Sequence, residues 1–536
     1  MDGNLNALTT VFTEFYYWVT VVFMFLIHVG FCMYEVGASR ARNHMHTLMK
    51  NIMIIPLVTV TFFFFGWWIY WAFPDFPFFG GLNTEAGAAN LPWADTMATN
   101  LGDRITGVFW AAFLLFSWTA ASIVSGAVIE RIRSSALWVH AVLIGSVFWI
   151  IDAAWGWHYA GWMVRELGYH DAYASGVIHA IAGGYALGVI MVLGPRIGKF
   201  AADGTPRDIP PHNPWMLVVG IFLIYTGFWG FYAACNVPII SPEVIGGEIV
   251  GTTWTATNIY LAPTTLSAIT FNFLMSLSGG LMAAYVVSKG DAFWTFSGGL
   301  AGIITASAGN DLYHPIQAML VGAVGVVIVY KLHYWVERRF KLDDAVGAVA
   351  VHGYSGVVGL VIAGFLLWGA PSSPFEGYAT ITPWGQAAGA VIMFFVLGFA
   401  PGWAVAKMPR QYHCRHRPDG MAQNLEREDG SAVSDCATGH VAGDYNDGFF
   451  GHKGSLVGIR GFVSDIGSYT GRSFGETNVL WFSLMAPKWW SEFRLPGEDL
   501  KEWPAHEVRA RHHHDRVKHL LVGHYRQRRD VMALRL

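Results

Sequence analysis

The sequence predicts an all-α polytopic membrane protein of about eleven transmembrane helices, and three observations carry that. Of its 536 residues 54% are hydrophobic and only 13% charged, about half the charged fraction of a soluble protein. Apolar stretches of about 20 residues, the length a membrane span requires, recur throughout residues 16–407. Basic residues collect in alternate loops, as positive charge held on the cytoplasmic side would produce. The net charge of −3 is too small to imply a nucleic-acid partner or an acidic substrate. Cys32, Cys235, Cys414 and Cys436 are too few for a disulfide framework, and free thiols are expected. The N-terminal MDGNLNALTT lacks a basic segment, so the first apolar stretch is expected to be a span rather than a cleaved signal peptide.

Taken in order, the expected spans are 16–38, 49–73, 105–129, 136–155, 173–194, 215–236, 264–287, 292–308, 313–332, 345–369 and 385–407. The eighth is short and rich in Gly, Ser and Ala. Loops after odd-numbered spans hold Arg40, Arg42, Arg131, Arg133, Arg196, Lys199, Arg207, Lys289, Arg338, Arg339 and Lys341. Loops after even-numbered spans carry only Arg104 and Arg165, alongside Asp75, Glu85, Asp95, Glu243, Glu248 and Glu376. The N-terminus is therefore expected outside and the C-terminus in the cytoplasm of a cell whose inner (plasma) membrane holds the chain, and an odd number of spans follows. Small residues in SGAV (125–128), HAIAGG (179–184) and SGGLAG (297–302) suit helices that approach closely in lipid.

Residues 1–407 form one expected transmembrane domain, and 408–536 a polar cytoplasmic tail of unknown fold. The tail ends in HEVRARHHHDRVKHLLVGHYRQRRD, a basic stretch suited to anionic headgroups or a regulatory partner. HCRH (413–416), Cys436 and His440 have irregular spacing for a metal site and read equally as a solvated tail. No cofactor or catalytic motif stands out.

The fifth and tenth spans repeat each other. VIHAIAGGYALG and AVHGYSGVVGL, aligned on His179 and His352, share apolar-His-x-x-x-Gly-x-x-x-Leu through Gly183 and Leu187, and through Gly356 and Leu360. An offset of five spans points the two copies in opposite directions, which is a five-plus-five inverted repeat with its solute path between the halves. A histidine inside a span costs desolvation, and two at matched positions mark one place. A neutral imidazole offers one donor and one acceptor, so two adjacent rings can share a proton. The pair suits a hydrogen-bonding solute or a proton relay; with no cysteine or carboxylate near it in those spans, it is a poor metal shell.

Longer motifs carry a family resemblance. GFCMYEVGASRARN (30–43), AASIVSGAVIERIR (120–133), GYHDAYASGVIHAIAGGYALGVIMVLGPRIGKF (168–200) and LDDAVGAVAVHGYSGVVG (342–359) resemble, in order and spacing, the ammonium transporter (Amt/Rhesus) family over residues 16–407. The resemblance implies a homotrimer with one pore per subunit, in which ammonium is recruited, deprotonated at a phenylalanine gate and passed as ammonia along the twin histidines. It places the gate on Phe116 and Phe231 and the recruiting aromatic on Trp157, with Trp155 an alternative because the alignment there needs an insertion. It places the vestibule's organising carboxylate on Asp171, which also reads as a helix N-cap. A bare cation in an apolar pore meets a penalty of many kcal/mol, so losing a proton is the physical solution, and one that sodium and potassium lack.

Several positions depart from the family's pattern. GFYAAC (230–235) stands where Gly-Phe-Asn-Ala-Gly-Ser is usual, so Tyr232 replaces Asn and Cys235 replaces a hydroxyl-bearing Ser. Ala112-Phe113 replaces a Phe-Gln pair, shifting or removing the outer ring. Asp311 and His314 are added on the outer side. The expected recruitment vestibule is thus Trp157, Asp171, Cys235, Phe113 and Tyr232. An ammonium sensor signalling through the tail, or a transporter of another small solute, is the alternative to ammonium transport.

Overall fold

A computed structural model of the protein describes residues 2–94, 106–238, 243–245, 248–251, 256–408, 425–426 and 432–433. HCRH (413–416), Cys436, His440 and the terminal basic stretch, with the metal, headgroup and partner expectations placed on them, lie outside the described residues. Ten described helices are long and apolar enough to cross a membrane: α1 (Leu8–Ala38), α2 (His44–Ala72), α3 (Gly107–Ala127), α4 (Ser134–Gly156), α5 (Ser175–Leu193), α6 (Pro214–Ala234), α7 (Leu266–Val287), α9 (Pro315–Phe340), α10 (Val349–Leu366) and α11 (Pro383–Ala406). Between α7 and α9 lies α8 (Ala292–Ala306), 15 residues long and continued by the 3-10 turn Ser307–Gly309.

The expected eighth span is present as this helix, shorter than the ten others. At 1.5 Å per residue α8 covers about 22 Å of an apolar core about 30 Å thick. Every residue from Ser297 to Ala306 is buried, so this helix meets protein rather than lipid and has no need to cross alone. Large apolar side chains on other helices, such as Trp215, Phe222, Tyr285 and Trp384, are exposed, as a lipid-facing surface requires.

The inverted repeat has a geometric counterpart where α5 crosses α10. A Cβ on Gly183 would collide with the backbone of Gly353, and one on Gly356 with Ser175 and Ala180. The contact is reciprocal: the glycine four residues after each histidine meets the residue that follows the other histidine. Only hydrogen side chains permit this approach.

The two ends of the bundle are tied differently. At one end, Arg131 and Arg196 converge on Asp343, with Arg131 Nη1 2.6 Å and Arg196 Nε 2.9 Å from its Oδ2. Arg40 pairs with Glu130 at 2.5 Å and Lys199 with Glu337 at 2.5 Å. Burial would raise the Asp343 carboxyl, yet Arg196 and Arg131 hold it well below the usual carboxylate range. At the other end a small antiparallel sheet pairs Asn236–Pro238 with Ala256–Asn258, and the latter with Pro263–Thr264. In the turn between those last two strands the Tyr260 hydroxyl donates to the Gly156 carbonyl at 2.9 Å and accepts from the Asp171 amide at 2.9 Å. These bonds fix the loop that leads into α5.

Candidate functional site

His179 and His352 meet. Their Nδ1 atoms are 3.1 Å apart and their rings nearly parallel, with centroids 5.1 Å apart at 25°. In such a contact one nitrogen donates and the other accepts, so the pair holds a single shared proton when neutral. Phe228 and Phe231 stack on His179, and Phe31 lies against His352 with centroids 6.0 Å apart. His179 Nε2 is buried with no hydrogen-bond partner among the described residues.

Each histidine is carried by the same local design. The first residues of both helices, Ser175–Ala180 and Val349–Tyr354, form a π-helical turn, a widened geometry that often marks function. Eight residues before each histidine stands an aspartate. Asp171 accepts from the amides of Ser175 (2.6 Å), Gly176 (2.7 Å) and Val177 (2.9 Å), and from the Tyr169 hydroxyl (3.1 Å). Asp344 accepts from the Ala350 amide at 3.0 Å, the position equivalent to Val177. Five residues before each histidine the chain turns through a left-handed residue, Ala174 (φ 74°) and Gly347 (φ 69°). Carboxylates at helix N-termini satisfy amides that the first turn leaves unpaired.

On the Phe231 side of the pair the path is shut by rings. Phe116 meets Phe231 edge-on with centroids 4.7 Å apart. Trp157 lies 5.1 Å from Phe116 and 6.0 Å from Phe113, and all four rings are fully buried. Trp157 Nε1 donates to the Asp171 carbonyl at 2.7 Å, which joins this indole to the cap of the His179 helix. On the other side of the pair a cavity of about 20 Å³ touches His352, Phe31, Tyr34, Glu35, Ser122 and Ser297. That is room for one molecule the size of water or ammonia. Glu35 accepts from Ser125 Oγ (2.5 Å) and Asn51 Nδ2 (2.9 Å).

The comparisons with known proteins agree with this geometry. A sequence profile described as the Ammonium Transporter Family matches residues 15–409. The chain belongs to that family. It is 31% identical over 413 residues to ammonium transporter Amt2 of Archaeoglobus fulgidus, covering 72% of this chain and 80% of that one. It is also 31% identical to ammonium transporter Amt2 of Methanocaldococcus jannaschii, over 75% of this chain and 87% of the relative. Among solved structures, a protein titled Sensor Amt Protein shares the fold with TM-score 0.61 and 22% identity, covering 77% of this chain and 96% of its own. Candida albicans Mep2 does so with TM-score 0.59 and 18% identity, covering 73% and 83%.

Within this family member the expected site residues divide into two groups. His179, His352, Phe116, Phe231, Phe113, Trp157 and Asp171 come together. Of the two tryptophans that the alignment allows, Trp157 lies with these rings and Trp155 packs on Phe78 and Trp162. Tyr232 is elsewhere: it stacks on Tyr173 (4.2 Å, 5°), and its hydroxyl is engaged by Ser307 at 2.8 Å and Asn310 at 2.9 Å. Cys235 ends α6, its thiol 3.5 Å from the Phe231 carbonyl. Asp311 pairs with His170 at 3.1 Å, and His314 caps α9. Sequence reasoning missed Asp344 and Glu35. The shared offset of eight residues between aspartate and histidine in both spans would have found the first; no local motif marks the second.

Proposed function

We infer that this membrane protein conducts ammonium, recruiting the cation beside Trp157, removing its proton at the Phe116–Phe231 gate, and passing ammonia along the histidine pair to the cavity beside Glu35. The observation that carries this is the contact of two imidazoles in an apolar, ring-sealed passage that ends in a cavity of ammonia's size. A carbon-lined constriction sets a desolvation penalty of many kcal/mol on any fixed cation, whereas ammonia pays little and can accept a hydrogen bond from the imidazoles. The proton follows along the Nδ1–Nδ1 contact, so transport carries charge. The N-terminus lies outside, the basic ends of the helices face the cytoplasm of the plasma membrane, and three copies assemble with one pore each. Aromatic faces at Trp157 and Phe113 attract a cation by about 0.5–2 kcal/mol each as water is excluded. The named relatives support ammonium as the solute, and no described residue favours a sensing role over it. The test is ammonium-driven flux in liposomes holding the full chain: current and an internal pH change with ammonium, none with potassium, are expected. Silence with ammonium would sink the proposal.

A further inference from the structure

At the gate stands a carboxyl that nothing around it satisfies. Asp152 on α4 is fully buried, and neither of its side-chain oxygens has a hydrogen-bond partner among the described residues. Trp149, three residues earlier and therefore on the same helix face, sets its indole 6.0 Å from Phe113 and 6.3 Å from Phe116. Gly156, four residues later, leans on the ring of Tyr169. The segment of α4 that carries Asp152 packs directly on the first turn of α5. Asp152 thus lies between the aromatic gate and the cap of the His179 helix.

Deprotonating a cation there requires a base, and Asp171 is a poor one. A carboxylate has about four acceptor sites, and Asp171 already accepts four hydrogen bonds, three on Oδ2 from Gly176, Val177 and the Tyr169 hydroxyl and one on Oδ1 from Ser175. Asp152 has all of its sites free. The plain alternative is a buried acid with no role, but Ala153 and Ala154 show that small apolar residues fit this helix, and an unsatisfied buried carboxyl costs stability for nothing. The titratable groups packed around this end include Tyr169, Asp171, His179, Tyr173, Cys235, Tyr260, whose hydroxyl bonds to the Gly156 carbonyl and the Asp171 amide, and, beyond the helix end, His158, whose ring lies against Tyr70 and Trp71.

We propose that Asp152 is the proton acceptor of the gate, a role that rests on the transport function inferred above. One N–H bond of ammonium breaks, its electron pair stays on nitrogen as ammonia, and the proton bonds to a carboxylate oxygen of Asp152. Ammonia passes Phe116 and Phe231. The carboxyl then gives its proton to the unpartnered Nε2 of His179, which regenerates the carboxylate and charges the imidazole pair for onward transfer.

The test is flux through the full chain in liposomes as the outer pH is varied at constant total ammonium. Wild type takes protonated substrate, so its flux stays nearly flat across neutral pH. Asp152→Asn conducts only ammonia already free in solution, so flux falls by about 100-fold at neutral pH and rises about tenfold for each pH unit. Asp152→Glu restores the flat profile. A structural role would lower flux without changing its pH law, and an Asn variant with the wild-type law overturns the proposal. Where the Asn variant does not fold, infrared difference spectra of wild type decide: a protonated-carboxyl band appears on ammonium addition, and its absence overturns the proposal. Wild type inactive with ammonium removes the transport function itself; wild type active with an unaffected Asn variant removes only this inference.

Discussion

The His179 segment and the His352 segment are built on one plan and finished differently. Both run aspartate, left-handed residue, π-helical turn, histidine and close-packed glycine at matching intervals. Around His179 the plan is completed by rings and by amides: Phe228 and Phe231 cover the imidazole, and Asp171 accepts from the amides of Ser175, Gly176 and Val177. Around His352 it is completed by charge and space. Asp344 has an unpartnered Oδ1 and sits beside the Asp343–Arg131–Arg196 cluster, and the imidazole borders a cavity with Glu35. The repeat supplies two rings that can share a proton, and the unequal surroundings give the path a sealed end and a polar end. Direction enters a symmetric scaffold through side chains and not through the backbone.

The histidines themselves give the largest effect. His179→Ala or His352→Ala is expected to cut ammonium-driven flux by about 100-fold or to admit potassium, measured as current in liposomes. Wild-type selectivity in both variants would remove the pair from the path.

The caps come next, and they should be unequal. Asp171→Ala strands three buried amides, and at about 1 kcal/mol or more for each lost partner it should cost about 3 kcal/mol. Asp344→Ala strands fewer and should cost about 1 kcal/mol. Thermal unfolding of the two purified variants checks the order, and equal losses would mean that the caps are equivalent despite their bonding.

The polar end should also respond to pH. Burial, with Asp343 adding to it, pushes the Asp344 carboxyl up to about 6, against the pull of the Ala350 and Val349 amides. A carboxyl raised in the folded state binds its proton more tightly there than in the unfolded chain. Its contribution to stability is therefore full below about pH 4 and is lost as pH rises through about 6. Asp343 runs the other way: its contribution is present above about pH 4 and lost only in stronger acid. Asp344→Asn should flatten the decline between about pH 4 and 6, read as unfolding temperature against pH; an unchanged slope would assign the decline to another group.

Much of this was legible in the sequence because lipid imposes coarse rules. Spans, the repeat and the histidine pair follow from hydropathy, loop charge and one aligned motif. Phe116, Phe231, Trp157 and Asp171 followed only from family resemblance, since one ring among 37 phenylalanines carries no local mark. The eighth span shows where the rules fail. Hydropathy measures compatibility with lipid, but α8 is surrounded by protein and its length answers to packing. Tyr232 shows another limit: alignment gives a position on α6, and the hydrogen bonds to Ser307 and Asn310 give its direction. Those partners come from a distant part of the chain and leave no signal in GFYAAC.

The smallest expected effect tests the shared backbone itself. Both segments turn through a left-handed residue, yet one uses glycine and the other alanine. An L-residue with a Cβ pays about 1 kcal/mol in that conformation, and glycine does not. Ala174→Gly relieves that cost while making the unfolded chain more flexible, so the expected gain is a few tenths of a kcal/mol. Gly347→Ala loses on the first count and gains on the second, for a net cost of similar size. Opposite signs in thermal unfolding of the two variants are what a common backbone requires. Destabilisation by both would mean that the Ala174 methyl group is held by contacts that Gly347 has no counterpart for, and that the likeness of the two segments stops at their hydrogen bonds.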